Sequence, residues 1–279
     1  MSNTASAQAY PQYPQGPLGV MDAVGMGWRL LMQDFWMLWL LTVVLGAVMT
    51  GVGLVSCCLL CLAPVVAFFV EPPLEAGMFK AIKRRVDGGA VNFSDLFAAF
   101  PECYWQAVVA GLPAMAIDGV GQMIQLPVRL VGQFAEPIRR ELHWPEETLI
   151  IAAIILAIVL FVLIVALVIL RLFFSFTLLA IWDRKEAGVE AIKTSMRLVK
   201  DHFWSILGLS LLFVLIGIAA AILGTLACLV GLFITIPAVA VWYKIVLVYL
   251  YRSWTGQPLE QPMAGGPVLP TPGRPSALV

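Results

Sequence analysis

The chain reads as an all-α integral membrane protein: a six-helix transmembrane bundle with an internal parallel repeat and cytoplasmic amphipathic helices. Three observations predict this class. Phe35 to Val70 and Phe203 to Tyr243 carry no charged residue over 36 and 41 positions. Each stretch is entered through the same residue pattern, offset by 168 positions. Of 279 residues, 61% are apolar and 12% charged, against about 45–50% and about 25% in a soluble domain, so lipid is the expected solvent. Net charge is zero, which gives nucleic acid no purchase.

Residues 1–17 hold Tyr10, Pro11, Tyr13, Pro14 and Pro17 with no basic residue before an apolar core. They read as a disordered tail rather than a cleaved signal. The membrane domain is expected over 18–255. It opens on an amphipathic helix whose apolar positions, Met21, Val24, Trp28, Leu31 and Phe35, recur at three and four. One crossing of a hydrocarbon core about 30 Å thick takes about 20 residues. The first uncharged stretch therefore makes two spans, about 36–52 and 54–70, turning near Gly51, Gly53 and Ser56.

After Gly88-Gly89, Asn92 or Ser94 is expected to cap a short surface or re-entrant helix with Asp95 in its first turn. Pro101 would stop it, and Phe93, Phe97 and Phe100 would face lipid. A third span follows over 105–125, then an exposed loop from Leu126 to Glu147. Thr148 to Leu170, 23 residues without a charge, sets a fourth span over 149–171. A second amphipathic helix carries Val189, Ile192, Met196, Val199 and Phe203 on one stripe. Spans 204–223 and 228–250 complete the set, folding back near Gly224 or Gly231. Six prolines between Pro258 and Pro275 make 256–279 a disordered tail.

The third span is decided by counting basic residues. Lys80, Lys83, Arg84 and Arg85 follow the first hairpin; Arg184, Lys185, Lys193, Arg197 and Lys200 precede the second. Both groups share one side only if 105–125 crosses, as the positive-inside bias requires. The chain is thus expected to be multi-pass, with both termini cytoplasmic. The repeat aligns Ala23, Arg29, Leu30, Phe35 and Trp36 with Ala191, Arg197, Leu198, Phe203 and Trp204. Gly46, Ala47, Gly51 and Gly53 in the first span and Gly217, Ala220, Ala221 and Gly224 in the fifth include small residues four apart, such as Ala47 with Gly51 and Gly217 with Ala221, and predict that these spans pack together at the centre.

Asp118, Gln122, Gln125 and Arg129 fall at intervals of four, three and four, one polar stripe on the third span. Either they form a substrate or proton path or they are wetted at the outer interface. An Asp118–Arg171 pair is not expected, because counting from each end of the bilayer separates the two by roughly 20 Å. Arg171 should instead snorkel to headgroups. Lys83, Arg84, Arg85, Lys193, Arg197 and Lys200 are candidates for the same anionic headgroups of the cytoplasmic leaflet. Cys57, Cys58, Cys61 and Cys228 read as small packing residues, and His143 as a lone histidine. No metal site, cofactor site or catalytic set is expected.

Pro73-Leu74-Glu75-Ala76-Gly77, Phe93-Ser94-Asp95-Leu96-Phe97-Ala98-Ala99-Phe100, and Asp183, Ala191, Ser195, Pro237 and Tyr243 together carry a resemblance over most of Gly19 to Trp254. The chain resembles bacterial multi-pass membrane families of uncharacterised function, including the membrane domain attached to some glycerophosphodiester phosphodiesterases. Similar proteins show Gly-Phe where this chain has Ala99-Phe100, and the loop after Leu126 is long. No soluble segment exceeds about 35 residues, while the catalytic barrel takes about 250. The resemblance therefore implies a six-helix membrane domain without the barrel's chemistry.

The leading expectation is a non-enzymatic scaffold or membrane-organising domain whose partners are membrane lipids and a further protein. The alternative is a small-molecule or lipid transporter using the Asp118 stripe. A cavity reaching Asp118 would favour transport, and a closed bundle would favour scaffolding.

Overall fold

The computed structural model describes residues 18–57, 63–142, 146–226 and 230–256. Among them every regular element is helical: α1 (Val20–Gln33), α2 (Phe35–Cys57), α3 (Ala63–Val86), a 3₁₀ turn (Phe93–Phe97), α4 (Ala99–Leu142), α5 (Glu146–Leu172), α6 (Thr177–Arg184), α7 (Gly188–Asp201), α8 (Phe203–Leu226) and α9 (Val230–Trp254). The calls on the 1–17 and 257–279 tails, on Cys58, Cys61 and Cys228 between the paired spans, and on His143 lie outside the described residues.

The two amphipathic helices form where the stripes predict them. Asp22 and Glu190 sit in their first turns, where a carboxylate offsets the exposed N–H groups. Each helix ends at an off-helix residue, Asp34 (φ −126°, ψ 39°) and His202 (φ −122°, ψ 28°), and the chain turns directly into α2 and α8. Each buried face shares one residue with its apolar stripe, Leu31 on α1 and Val199 on α7. On α1 the residues turned inward are Ala23, Met26, Gly27, Leu30 and Leu31; on α7 they are Gly188, Ala191, Ser195 and Val199. Met21, Trp28, Val189 and Met196 are exposed.

Among the described residues four segments are long and apolar enough to cross a membrane: Phe35–Val52, Ile154–Asp183, Phe203–Leu226 and Gly231–Thr255. The side chains of α5 show what that means, with Ile154, Ile158, Phe161 (68% exposed) and Val165 all facing outward. Such a surface is stable only in an apolar solvent.

The core lies around the second half of α9, where Val241 and the run Ile245 to Tyr251 are buried. Helices α1, α2, α3 and α8 all pack on α9. The Trp242 indole donates to the Val24 carbonyl at 3.1 Å, and a Cβ on Gly27 would lie 2.8 Å from the Val246 side chain. This corrects the expected pairing of the first and fifth spans. Gly46, Gly51 and Gly217 have open space where a Cβ would stand, while Gly224 meets the backbone of Leu232 within its own hairpin. Close approach at Gly224 serves the α8–α9 pair, and α9 takes the centre.

Three further boundaries differ. α2 continues through Gly51 and Gly53 to Cys57, since glycine is well tolerated in long apolar helices. Pro101 does not stop a helix; it occupies the first turn of α4, where its missing N–H costs nothing. α4 then runs 44 residues, bent at Cys103 (φ −152°, ψ 35°), and is helical to Leu142 through the segment expected to be a loop. The Phe93–Phe97 turn starts at Asn92 without a side-chain cap, and Phe93, Phe97 and Phe100 are exposed as expected.

Candidate functional site

Five helices each contribute one stripe to a cavity of about 420 Å³. On α3 the stripe is Glu71, Glu75 and Phe79; on α4 it is Gly111, Met115 and Asp118. α5 supplies Val168, Arg171 and Leu172, α8 supplies Ser210, Phe213 and Val214, and α9 supplies Ala240, Tyr243, Lys244 and Leu247. Spacings of three and four put each set on one helical face. Close approach of α3 to α4 is set by Gly111, where a Cβ would lie 2.6 Å from Pro72. Phe174, Ser175 and Leu178 close the remaining wall.

The charged groups in this space are mostly matched. Lys244 Nζ donates to Glu75 Oε1 at 3.0 Å, touches Met78 Sδ at 3.6 Å and lies 5.4 Å from the centre of the Phe79 ring. Arg171 pairs with Asp118. The Tyr243 hydroxyl and Ser210 Oγ are 3.3 Å apart. Glu71, half-buried on the same α3 stripe, has no hydrogen bond or ion pair among the described residues. Three carboxylates against two cations leave the cavity one formal negative charge in excess.

The Asp118–Arg171 pair overturns the depth estimate. Counting residues sets Trp105 at one edge of the bilayer. In the structure the first turns of α4 instead run beside α3 and α7, through Lys80–Glu102 at 2.5 Å and Gly188 against the Gln106 carbonyl. Asp118 is thus only two turns beyond the Gly111–Pro72 crossing, level with the end of α5. Gln122, Gln125 and Arg129 continue on α4, but their side chains, like that of Cys57, are not among those described.

The predicted headgroup residues divide. Lys83 pairs with Asp183 at 2.8 Å, Arg84 with Asp95 at 3.2 Å, and Arg85 with Asp34. Arg171 pairs with Asp118. These four turn toward carboxylates of the chain. Arg252 adds a pair with Asp87. Lys193, Arg197 and Lys200 stay exposed on α7. Ser195, opposite them, accepts from the Phe176 N–H at 3.2 Å and donates to the Phe173 carbonyl at 2.7 Å, fixing the α5–α6 turn that bounds the cavity.

Compared with models of protein families, with curated proteins and with solved structures, the chain matches none.

Sequence reasoning passes over Glu71, Glu75, Tyr243 and Lys244 as site residues. The signal is nonetheless present: Glu71, Arg171 and Lys244 terminate the three long uncharged runs and Asp118 ends the shorter one from Cys103 to Ile117, and the fold gathers all four at one cavity. Cys103 makes no comparable site. Burial, then the Glu102 charge, pushes its thiol up, away from the reactive thiolate.

Proposed function

We propose that the chain is a non-enzymatic integral membrane protein that binds and moves a small molecule through this cavity. The observation that carries the reading is the set of five charged side chains around a space of about 420 Å³, within the roughly 300–1,000 Å³ of small-molecule sites. Holding charge inside an apolar bundle is costly, and apolar residues of similar volume would serve a purely structural role as well or better. Ionisable residues gathered within a membrane bundle mark pathways for ions or solutes. The same proposal includes six spans, both termini on the cytoplasmic side of an inner membrane, an internal parallel repeat, and kinship with the phosphodiesterase-attached membrane domain.

Asp118→Asn tests it, with uptake of a panel of cationic, zwitterionic and anionic solutes measured in vesicles. The substitution leaves Arg171 without a counter-charge, so uptake of any transported solute is expected to fall at least about tenfold, the loss of about 1.4 kcal/mol or more. Unchanged uptake with unchanged thermal stability removes the path.

A second reading concerns the surface. Lys193, Arg197 and Lys200 are exposed on the helix that also exposes Val189 and Met196, an arrangement suited to an anionic leaflet at about 1 kcal/mol per cation. This is what favours the lipid-organising role. Native mass spectrometry of K193Q/R197Q/K200Q is expected to show anionic lipid retained about fivefold less per residue removed; equal retention would end this reading.

A further inference from the structure

We infer that the solute is a monovalent organic cation held at Glu71, and that a proton occupies the same carboxylate when the cation is absent. The inference rests on reading the cavity as the transport site and names what it takes.

Charge balance singles out the residue. Glu75 is matched by Lys244 and Asp118 by Arg171, so among the described residues of the cavity Glu71 is the carboxylate with no contact ion pair, and Arg171 and Lys244 reach it only across the space while already paired. The elements packed around it bring no further cation. Its own helix offers Glu75, α4 offers Asp118, α5 offers Arg171, and α9 offers Lys244 and the Tyr243 hydroxyl. α8 contributes the uncharged Ser210, the α5–α6 turn contributes Ser175, and α2 carries no charged residue at all. In a low-dielectric space a lone carboxylate is neutralised by a proton or by a bound cation. Either occupant brings the cavity to zero net charge. Both together would leave it positive, so they exclude one another.

The walls say which cation. Phe79, Phe174, Phe213 and Tyr243 line the space, and aromatic faces attract ammonium groups while accepting apolar substituents. A metal ion needs several converging oxygens, and no three His, Cys, Asp or Glu side chains converge so among the described residues. An amine or quaternary ammonium bearing an apolar group fits both the charge and the lining. On its arrival the Glu71 proton leaves the carboxyl oxygen for solvent, one proton out for one positive charge in.

The test uses the full chain in nanodiscs and three benzyl probes: benzyltrimethylammonium, its uncharged carbon isostere neopentylbenzene, and the anion phenylmethanesulfonate. The permanent charges of the first and third keep their own titration out of the measurement. The cation is expected to bind tightest, to release about one proton per molecule bound, and to lose up to about tenfold in affinity per pH unit on acidification. The isostere is expected to show no such pH dependence. Glu71→Gln should weaken the cation by about tenfold or more, leave the isostere unchanged and abolish proton release, while Glu71→Asp should keep both properties and so guards against misfolding. If no probe binds, the cavity reading itself fails. If the sulfonate binds as well as the cation, or proton release survives Glu71→Gln, the cavity stands and the assignment to Glu71 is overturned.

Discussion

Gly77→Ala is expected to destabilise the protein by about 3 kcal/mol or more, although it adds a single methyl group. α3 crosses the Phe93–Phe97 turn at Gly77 with no side chain between the backbones. A Cβ there would overlap the Leu96 carbonyl oxygen, lie 2.5 Å from its carbon and 2.8 Å from the Asp95 oxygen. These are backbone atoms, which cannot rotate aside as a flexible side chain would. The turn has little freedom to retreat, because Leu96 is fully buried and buried Asp95 is tied to Arg84. Overpacking of this kind costs about 1–3 kcal/mol in tolerant sites and more in rigid ones. Gly46→Ala is the control. Nothing lies within 4 Å of its added Cβ, so alanine's helix preference should yield up to about 1 kcal/mol of stabilisation. Thermal denaturation in detergent compares the two; equal midpoints would mean that the α3 crossing is looser than described.

Lys244→Met is expected to cost about 3 kcal/mol, with most of the loss recovered in K244M/E75Q. The pair is partly screened, with 17% of the lysine and 30% of the glutamate side chain exposed. The expected cost therefore takes the low end of the ~3–5 kcal/mol for orphaning one member of a buried pair. The recovery is the informative part. If the damage comes from a carboxylate left without its cation, an uncharged amide in place of Glu75 removes the cause; if it comes from lost packing against Phe79 and Met78, the double variant stays as weak as the single one. A double-mutant cycle on detergent-solubilised protein measures the coupling.

What can be read from residues alone is set by periodicity and by the sign of charges. The α1 and α7 helices and the off-helix junctions before Phe35 and Phe203 lie where the amphipathic pattern and the Phe-Trp pairs put them. Their buried faces overlap the apolar stripes only at Leu31 and Val199, because hydrophobicity ranks Trp28 and Met196 above Gly27 and Ala191. Close approach selects the small residues: Gly27 admits Val246, and Gly188 admits the Gln106 carbonyl. The loop expected after Leu126 is helix for a related reason. Charges there suggest solvent-exposed coil, yet interspersed Arg and Glu are equally compatible with a helix.

The cavity is hidden from the sequence for a different reason. Glu71, Arg171 and Lys244 stand at the ends of apolar runs, and an end looks like a boundary with water. Only the packing of α3 on α9, and of α5 on α4 and α8, shows that the boundaries coincide around one cavity. The polar stripe starts at Asp118, which lies at the cavity, but the depth assigned to it misses the Arg171 pair, since a residue count measures distance along a helix and says nothing of where that helix begins relative to its neighbours.

Pro72 and Pro73 stand side by side within α3. Neither can donate to the ladder, so the carbonyls of Phe68 and Phe69 lose their helical rungs one turn before Glu71. Toward the C-terminus the helix is riveted by Lys83, Arg84 and Arg85 to three other parts of the chain. Toward the N-terminus it has no comparable rivets among the described residues. Any flexing of α3 is thereby focused on the floor of the cavity, and the carboxylate at Glu71 rides on the joint.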